Sequence, residues 1–316
     1  MGHCLCYSAE QTDRYQQDVE PYPHRKASAS NALSFTDDMP GSPRAQHGGD
    51  RAVVLEDGSR YRGQWSDGRQ NGDGVQEWAD GARFEGQWHD GLAHGFGKFT
   101  CTDGSAYEGQ WQHDQANGDG VHVLPDGSRY AGQWRNDKKE GHAVEEWADT
   151  SRYEGQYRDG RKHGAGRLVW PDGSSYDGQF HGNEIHGHGA YAWTDGRVFE
   201  GQWQGNKMSG NGSFSWSDGR TYVGSYVNDK KDGHGVFTWP DGREYDGEWR
   251  NGQQHGTGVF KTSKGALRCG KWTEGVRSSW ISEPYWSDGT DAQSDKPRQA
   301  SAAKSDSDDA RLSDIP

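Results

Sequence analysis

Histidine is the first residue type in this chain numerous enough to do chemistry. There are 14 copies, and His181, His186 and His188 lie close together. A metal site needs ligands at set separations around one ion. Yet His94, His163, His186 and His255 fill one recurring position that Asn71, Asn117 and Ser209 fill elsewhere. A position that exchanges His for Asn and Ser is a turn position, so no metal is expected. Gly95-Phe96-Gly97-Lys98 has the outline of a phosphate loop, but Leu92 stands where the leading glycine is required and Phe99 where Ser or Thr belongs. The many Gly-x-Gly pairs lack the third glycine and the strand-to-helix setting of a dinucleotide site. Neighbouring Ser, His and Asp residues are abundant, but a regular repeat multiplies such neighbours without building a triad. The chain reads as a non-enzyme with no catalytic residue, no metal and no cofactor.

The amino terminus carries a different chemistry. In Met1-Gly2-His3-Cys4-Leu5-Cys6, Gly2 follows the initiator Met as N-myristoylation requires, and Cys4 and Cys6 stand where S-palmitoylation follows. Cys6 departs from the usual Ser or Thr at its position. A single myristoyl chain binds membrane only marginally, with K about 10⁴ M⁻¹, so a second signal is needed. Residues 1–50 hold four basic and seven acidic groups, which excludes a polybasic patch. Palmitoylation of Cys4 or Cys6 supplies the second signal in this reading. The expected location is cytoplasmic, peripheral on the plasma membrane or on a cytoskeleton-associated membrane.

The remaining elements must be built from an unusual composition. Leu, Ile, Val and Phe total 34 of 316 residues and the net charge is −13, which on aliphatic content alone reads as disorder. Against that stand 15 Trp, 14 Tyr, 9 Phe and 48 Gly, and each buried aromatic removes roughly 150–250 Å² from water. No apolar run reaches the ~18 residues of a membrane-spanning helix. Four cysteines (Cys4, Cys6, Cys101, Cys269) are too few for a disulfide framework and point to a reducing compartment. Residues 51–286 carry 27 basic and 34 acidic groups, and residues 287–316 carry four and seven. Every part is acidic, so nucleic acid is excluded as a partner.

One period organises the chain. An aromatic recurs every 23 residues at Tyr61, Phe84, Tyr107, Tyr130, Tyr153, Tyr176, Phe199, Tyr222 and Tyr245. Two residues on stands a glycine, and two further a second ring: Trp65, Trp88, Trp111, Trp134, Tyr157, Phe180, Trp203, Tyr226 and Trp249. A weaker tenth copy follows at Arg268, Gly270 and Trp272. Aromatic-x-Gly-x-aromatic has period two, a strand with both rings on one face. Its other face takes Glu85, Glu108, Glu154, Asp177, Glu200 and Asp246 and then Gln64, Gln87, Gln110, Gln133, Gln156, Gln179 and Gln202, which are expected to pair laterally in solvent. A glycine between two rings makes sense if the rings lie across the gap it leaves. The second half of each repeat runs Gly-x-Gly, a stretch ending in an aromatic such as Trp193, then Asp-Gly, read as the hairpin turn. The fold class is therefore all-β: about ten stacked 23-residue hairpins in one elongated, twisted antiparallel sheet, on the order of 95 Å long at ~4.8 Å per strand.

These motifs resemble the MORN repeat (membrane occupation and recognition nexus), carried for example by Tyr176-Asp177-Gly178-Gln179-Phe180, His186-Gly187-His188-Gly189 and Asp195-Gly196. The resemblance spans residues 51–286, with full repeats over 61–267. It implies a groove lined by the recurring aromatics above, Trp193 among them, and a scaffold or adaptor for protein partners at a membrane. MORN arrays occur in junctophilins, alsin and radial-spoke head proteins, and beside phosphatidylinositol phosphate kinases and SET-domain methyltransferases. The resemblance therefore also leaves open a regulatory arm for such a lipid kinase, or an axonemal or cytoskeletal part. Residues 1–50 are expected to be a disordered tether and 287–316 a disordered acidic tail. Val53-Val54-Leu55 at one end, and Trp280, Tyr285 and Trp286 at the other, are expected to cap edges that otherwise permit end-to-end self-association. Lys138-Lys139, Arg161-Lys162 and Lys230-Lys231 share one loop position and are expected to line a basic edge. Asp137, Asp159 and Asp229 in the same loops should leave direct phospholipid binding weak. The fourth repeat departs most, with Ala131, Glu140, Ala143 and Thr150 at pattern positions.

Overall fold

The computed structural model describes residues 52–287 and 289–290, so the tether, its acylation residues and most of the acidic tail lie outside the described residues. Among the described residues there is no helix; 21 strands run from β1 (Val53–Val54) to β21 (Val276–Trp280), and neighbouring strands pair antiparallel. They fall into two compact bodies that divide between Glu184 and Ile185. Within each body the repeat is one seven-residue strand followed by one nine-residue strand, as in β2 (Arg60–Ser66) and β3 (Arg69–Glu77).

The register shows what the central glycine is for. Gly63 pairs with Gly74, and Gly74 pairs on its other side with Gly86. Glycines thus meet glycines from strand to strand. The ring of Tyr61 lies down on this pair: a Cβ on Gly74 would stand 2.2 Å from the Tyr61 Oη and one on Gly63 2.5 Å. Tyr107 covers Gly120 and Tyr222 covers Gly235 with the same 2.2 Å clearance. Only hydrogen fits there. The ring crossing each glycine pair is the first aromatic of the motif. The second stands beside it, so Tyr61 is held edge-on between Trp65 (5.1 Å) and Trp88 of the next repeat (5.5 Å). Edge-to-face pairs of this kind add ~0.5–1.5 kcal/mol each beyond burial.

Directly after the glycine pair the register slips, as between Gly63 and Trp65. Such a bulge leaves backbone groups without ladder partners. Side chains take them up. The Tyr61 hydroxyl donates to the carbonyl of Gln64 (3.0 Å), and the Gln64 Oε1 accepts from the amide of Asp73 (3.2 Å). Gln87, Gln110 and Gln202 accept in the same way from Phe96, Asp119 and Asn211. The glutamine row is therefore a set of bulge clamps, where lateral pairing on a solvated face was expected. Period-two reasoning assumes an unbroken ladder and cannot reveal a bulge.

The turns also differ from expectation. Each expected Asp-Gly hairpin closes a three-residue loop: at Glu56-Asp57-Gly58, the Gly58 amide donates to Leu55 O and the Asp57 carboxylate accepts from the Ser59 amide (2.9 Å). Those Ser hydrogen bonds hold the Asp57 carboxyl below its ordinary range. The tightest turns lie at the opposite end of the strands, where both residues take positive φ: Asp67-Gly68, Asp90-Gly91, and even His113-Asp114 (φ 52° and 65°). Two-residue hairpins need that conformation because it matches strand twist. Where the second residue is Asp or Asn it bonds back to the previous repeat, as Asp114 Oδ1 accepts from Ala93 N at 2.7 Å.

Both ends of the array carry partial pairings. β1 pairs Val53 with Tyr61 in the same register that pairs Gln76 with Phe84. At the other end Tyr285 exchanges two backbone hydrogen bonds with Leu267 in β20 (Leu267–Thr273), and Trp280 stands edge-on to Trp272 at 6.0 Å.

Thr150 occupies the loop position that other repeats give to glycine, at φ +77°. A β-branched residue in this region carries strain of ~1–2 kcal/mol. Thr150→Gly is expected to raise the urea midpoint of the first body, a gain of about 1 kcal/mol after the entropy glycine adds to the unfolded chain. Gly173→Thr, one repeat on at φ +91°, should lower it. Equal midpoints for both variants would show that the turn holds no strain.

Candidate functional site

Most of the rings expected to line a groove are instead the sealed core, with Trp65 and Trp193 the exceptions. Tyr61, Tyr153, Tyr176, Phe199, Tyr222 and Tyr245 are 0% exposed, and Phe84, Tyr107 and Tyr130 are at most 2%. Trp88, Trp111, Trp134, Trp203 and Trp249 are buried beside them, and each donates its indole N–H to a glycine carbonyl of the preceding repeat, from 2.9 Å at Trp111 to 3.3 Å at Trp134. Trp65, with no full repeat before it, is 41% exposed. A partner cannot reach most of these rings without opening the sheet.

The basic pairs split between faces, because neighbouring strand residues point opposite ways. Lys138, Arg161 and Lys230 are exposed, whereas Lys139, Lys162 and Lys231 turn toward the rings. No single basic edge forms. Lys139 ion-pairs with Glu145 and lies 4.8 Å from the Tyr130 ring, while Tyr157 donates its hydroxyl to the same carboxylate. Lys162 stands 4.8 Å over Trp147. Asp137 and Asp229 are turn residues, accepting from Ala116 N (2.8 Å) and Met208 N (2.7 Å), and burial raises both carboxyls.

Lys231 is the most enclosed of the three, at 6% exposure. Its Nζ lies 4.9 Å from Trp216, 5.2 Å from Phe237, 5.2 Å from Trp249 and 5.5 Å from Tyr222. Among the described residues it makes no ion pair, and the nearby Arg220 charge repels it. Burial first, and Arg220 second, pull its amine down to about 7. The ring faces offset part of that cost. Met208 and Ile185 fill the same position in earlier repeats.

The accessible chemistry sits in the next row, at the end of each nine-residue strand. In the second body the rings Tyr191, Trp193, Phe214, Trp216, Phe237, Trp239 and Phe260 follow one another at centroid distances between 3.9 and 6.1 Å. Trp193, Phe214, Trp239 and Phe260 are only half-buried. Across each turn an arginine lies on the Trp: Arg197 on Trp193 (4.1 Å), Arg220 on Trp216 (5.3 Å) and Arg243 on Trp239 (5.5 Å). Each guanidinium is steered by the turn aspartate, through Nε to Asp195 (2.6 Å), Asp218 (2.7 Å) and Asp241 (2.7 Å). In the first body the arginine position holds Ser59, Ala82, Ser105, Ser128, Ser151 and Ser174, and three of the Trp positions hold Leu55, Cys101 and Leu124. Sequence reasoning followed the invariant motif and missed this ladder. Reading each variable position down the repeats reveals Ser giving way to Arg at residue 197.

The MORN repeat profile matches nine successive stretches: residues 61–83, 84–106, 107–129, 130–152, 153–175, 176–196, 199–219, 222–242 and 245–266. The chain belongs to the MORN-repeat family. No curated protein matches it significantly. Among solved structures it is similar to the TCP10 domain of Danio rerio CPAP in complex with a peptide of Danio rerio STIL, at 14% identity and TM-score 0.26, over 73% of this chain and 98% of that one. It is also similar to the Drosophila melanogaster SAS-4 TCP domain in complex with a proline rich motif, at 10% identity and TM-score 0.27, over 72% and 98%. Superpositions this poor support no inference about function.

Because the Lys231 amine lies lower when folded than its ordinary 10.5, the unfolded chain binds more protons between those values, and stability rises with pH across that window. Below about pH 7 the full penalty is present; above about 10.5 it is gone. For one proton the slope reaches at most ~1.4 kcal/mol per pH unit. Lys231→Met is expected to stabilise the second body at pH 7 and to remove that slope from urea melts run between pH 7 and 10. A variant as pH-dependent as the wild type would show that Lys231 is charged throughout.

Proposed function

We propose that this MORN-repeat chain is a non-catalytic scaffold that takes an extended protein segment along the Trp–Arg ladder of its second body, while an acylated amino terminus holds it at the cytoplasmic face of a membrane. The observation that carries the binding half is the threefold recurrence of one constellation, Trp193–Arg197–Asp195, Trp216–Arg220–Asp218 and Trp239–Arg243–Asp241. Two half-buried rings, Trp193 and Trp239, on either side of the buried Trp216, with oriented and partly neutralised guanidinium groups, suit a peptide with aromatic, proline and acidic side chains. They suit a phosphate surface poorly. Anionic lipid attracts ~1 kcal/mol per nearby basic residue, and acids outnumber bases over residues 51–286. The membrane half rests on Gly2, Cys4 and Cys6 and on the two-signal arithmetic of lipid anchors.

Both halves have direct tests. With a carboxy-terminal fluorescent tag, wild type should sit on membrane and Gly2→Ala should become soluble. Cys4→Ser/Cys6→Ser should exchange rapidly, since one acyl chain remains. Unchanged localisation in both variants would remove the tether from the reading. Unacylated full-length protein should bind anionic vesicles only weakly at physiological salt. For the ladder, partners retained by wild type should be lost with Trp239→Ala/Arg243→Ala and kept with Val223→Glu on the opposite face. Equal loss or equal retention in the two variants would place partner binding elsewhere.

A further inference from the structure

Lys231 places an amine where the fold asks only for an apolar side chain. In the two preceding repeats Ile185 and Met208 fill the same position and are equally buried. An amine there is a cost that needs an answer. Lys139, at the same position in the first body, is answered by Glu145. Among the described residues the Lys231 amine has no ion pair and no hydrogen bond, only the faces of Trp216, Phe237, Trp249 and Tyr222 at 4.9 to 5.5 Å. The enclosure is also not complete. Lys231 keeps 6% of its surface, and its Nζ is not among the unpartnered polar atoms that are sealed from solvent. An opening of that size admits a molecule of a few atoms and excludes a peptide, a nucleotide or a lipid headgroup.

Beside the amine stands a second cation. Arg220 and Lys231 share one indole, the guanidinium 5.3 Å and the amine 4.9 Å from the Trp216 ring centre. Asp218 holds Arg220 by its Nε at 2.7 Å, and a guanidinium has five N–H donors in all. The two cations repel. An anion formed at the Lys231 nitrogen would remove that repulsion and be drawn to Arg220. Burial already favours the amine without its proton. It titrates at about 7, so about half is unprotonated at neutral pH, against roughly one part in 3,000 for an ordinary lysine. A nucleophilic amine, a narrow apolar entrance and a waiting counter-charge together select a small, uncharged, electrophilic carbon.

We infer that Lys231 is a carbamate site: its amine takes up carbon dioxide, and Arg220 holds the anion that results. The lone pair of the unprotonated nitrogen attacks the carbon and a C–N bond forms. One C=O electron pair moves onto oxygen, and the nitrogen proton passes to water at the opening. No oxidant or reductant is needed. Carbon dioxide is apolar and small enough to cross between the rings, and the rings keep bulk water from returning the proton that would release it. The exchange turns a cation beside Arg220 into an anion, so a repulsion becomes an ion pair. Only the folded chain offers this site, so uptake should stabilise the second body. The inference stands apart from the ladder's role as a partner site, since it needs no partner.

The test uses the full chain at neutral pH in buffer equilibrated with isotopically labelled bicarbonate and carbon dioxide. A trialkyloxonium salt esterifies any carbamate, and peptide mass spectrometry then places it. Lys231 should carry the label at least about tenfold above any other lysine, in keeping with its far larger unprotonated fraction. Lys231→Arg should lose that label. Arg220→Ser, which puts at this position the serine of the first body, should lower occupancy severalfold. Cyanate serves as the control reagent, because it adds to the same unprotonated amine but leaves a neutral product. Arg220→Ser should therefore slow cyanate labelling of Lys231 less than it lowers carbamate occupancy. In urea melts the second body of wild type should gain stability as carbon dioxide rises, and Lys231→Met should not. Label spread evenly over surface lysines would overturn the inference. So would a Lys231 that reacts with cyanate but carries no carbamate, or one that reacts with neither. Equal losses with both reagents in Arg220→Ser would overturn the role given to Arg220.

Discussion

An aromatic ring laid flat across two paired glycines is the constraint on which the rest of this protein depends. The ring needs a surface without Cβ atoms, which fixes glycine on both strands and fixes their register. The close fit kinks the ladder into a bulge, and the bulge exposes a carbonyl and an amide. The Tyr hydroxyl takes the first and a glutamine on the opposite face takes the second, as at Tyr61, Gln64 and Asp73. Burial pushes the Tyr61 phenol up to about 12 and the other ring hydroxyls higher still, so these groups stay protonated donors at any physiological pH. The ring is then gripped from the sides by one aromatic of its own repeat and one of the next. Stability is therefore shared between neighbours rather than held by any single repeat.

This arrangement explains how a chain so poor in aliphatic residues folds. The aromatics supply the buried area, and the glycines let the rings approach the backbone closely enough to exclude water. In the fourth repeat the scheme is strained but not abandoned. Ala143 faces Gly132 where glycine usually stands, and a partly buried Lys139–Glu145–Tyr157 network replaces part of the apolar packing. Such a network is stable only while every member keeps its partner.

Much of the fold was legible in the sequence because an uninterrupted 23-residue period leaves only one way to stack the strands. The strand pairing and the place of Thr150 in the turn both follow from it. The role of Gln64 did not, because a bulge inverts the expected neighbour without altering the pattern. The two-residue turns were missed because Asp67-Gly68 and His113-Asp114 share no single sequence signature, whereas the more conspicuous Asp-Gly belongs to the longer loop. The binding face was hidden for a related reason. The motif defines what holds the repeat together, and residues that hold a core together are removed from solvent. Information about recognition lies in the positions the motif leaves free, where Ser174 in one body gives way to Arg197 in the other.

The glycine row has a consequence at the level of inheritance. Each repeat's ring must land on a glycine of its own hairpin, and its flanking ring must reach the hairpin beside it. Gaining or losing a single codon within a strand would exchange the two faces of everything downstream in that strand. Gaining or losing 23 codons leaves every ring above a glycine pair and merely moves the caps apart or together. An array of this kind can therefore vary in length between genomes only by whole repeats. Its number of repeats, and so the length of the sheet, is a quantity that recombination can change in one step while point mutation cannot.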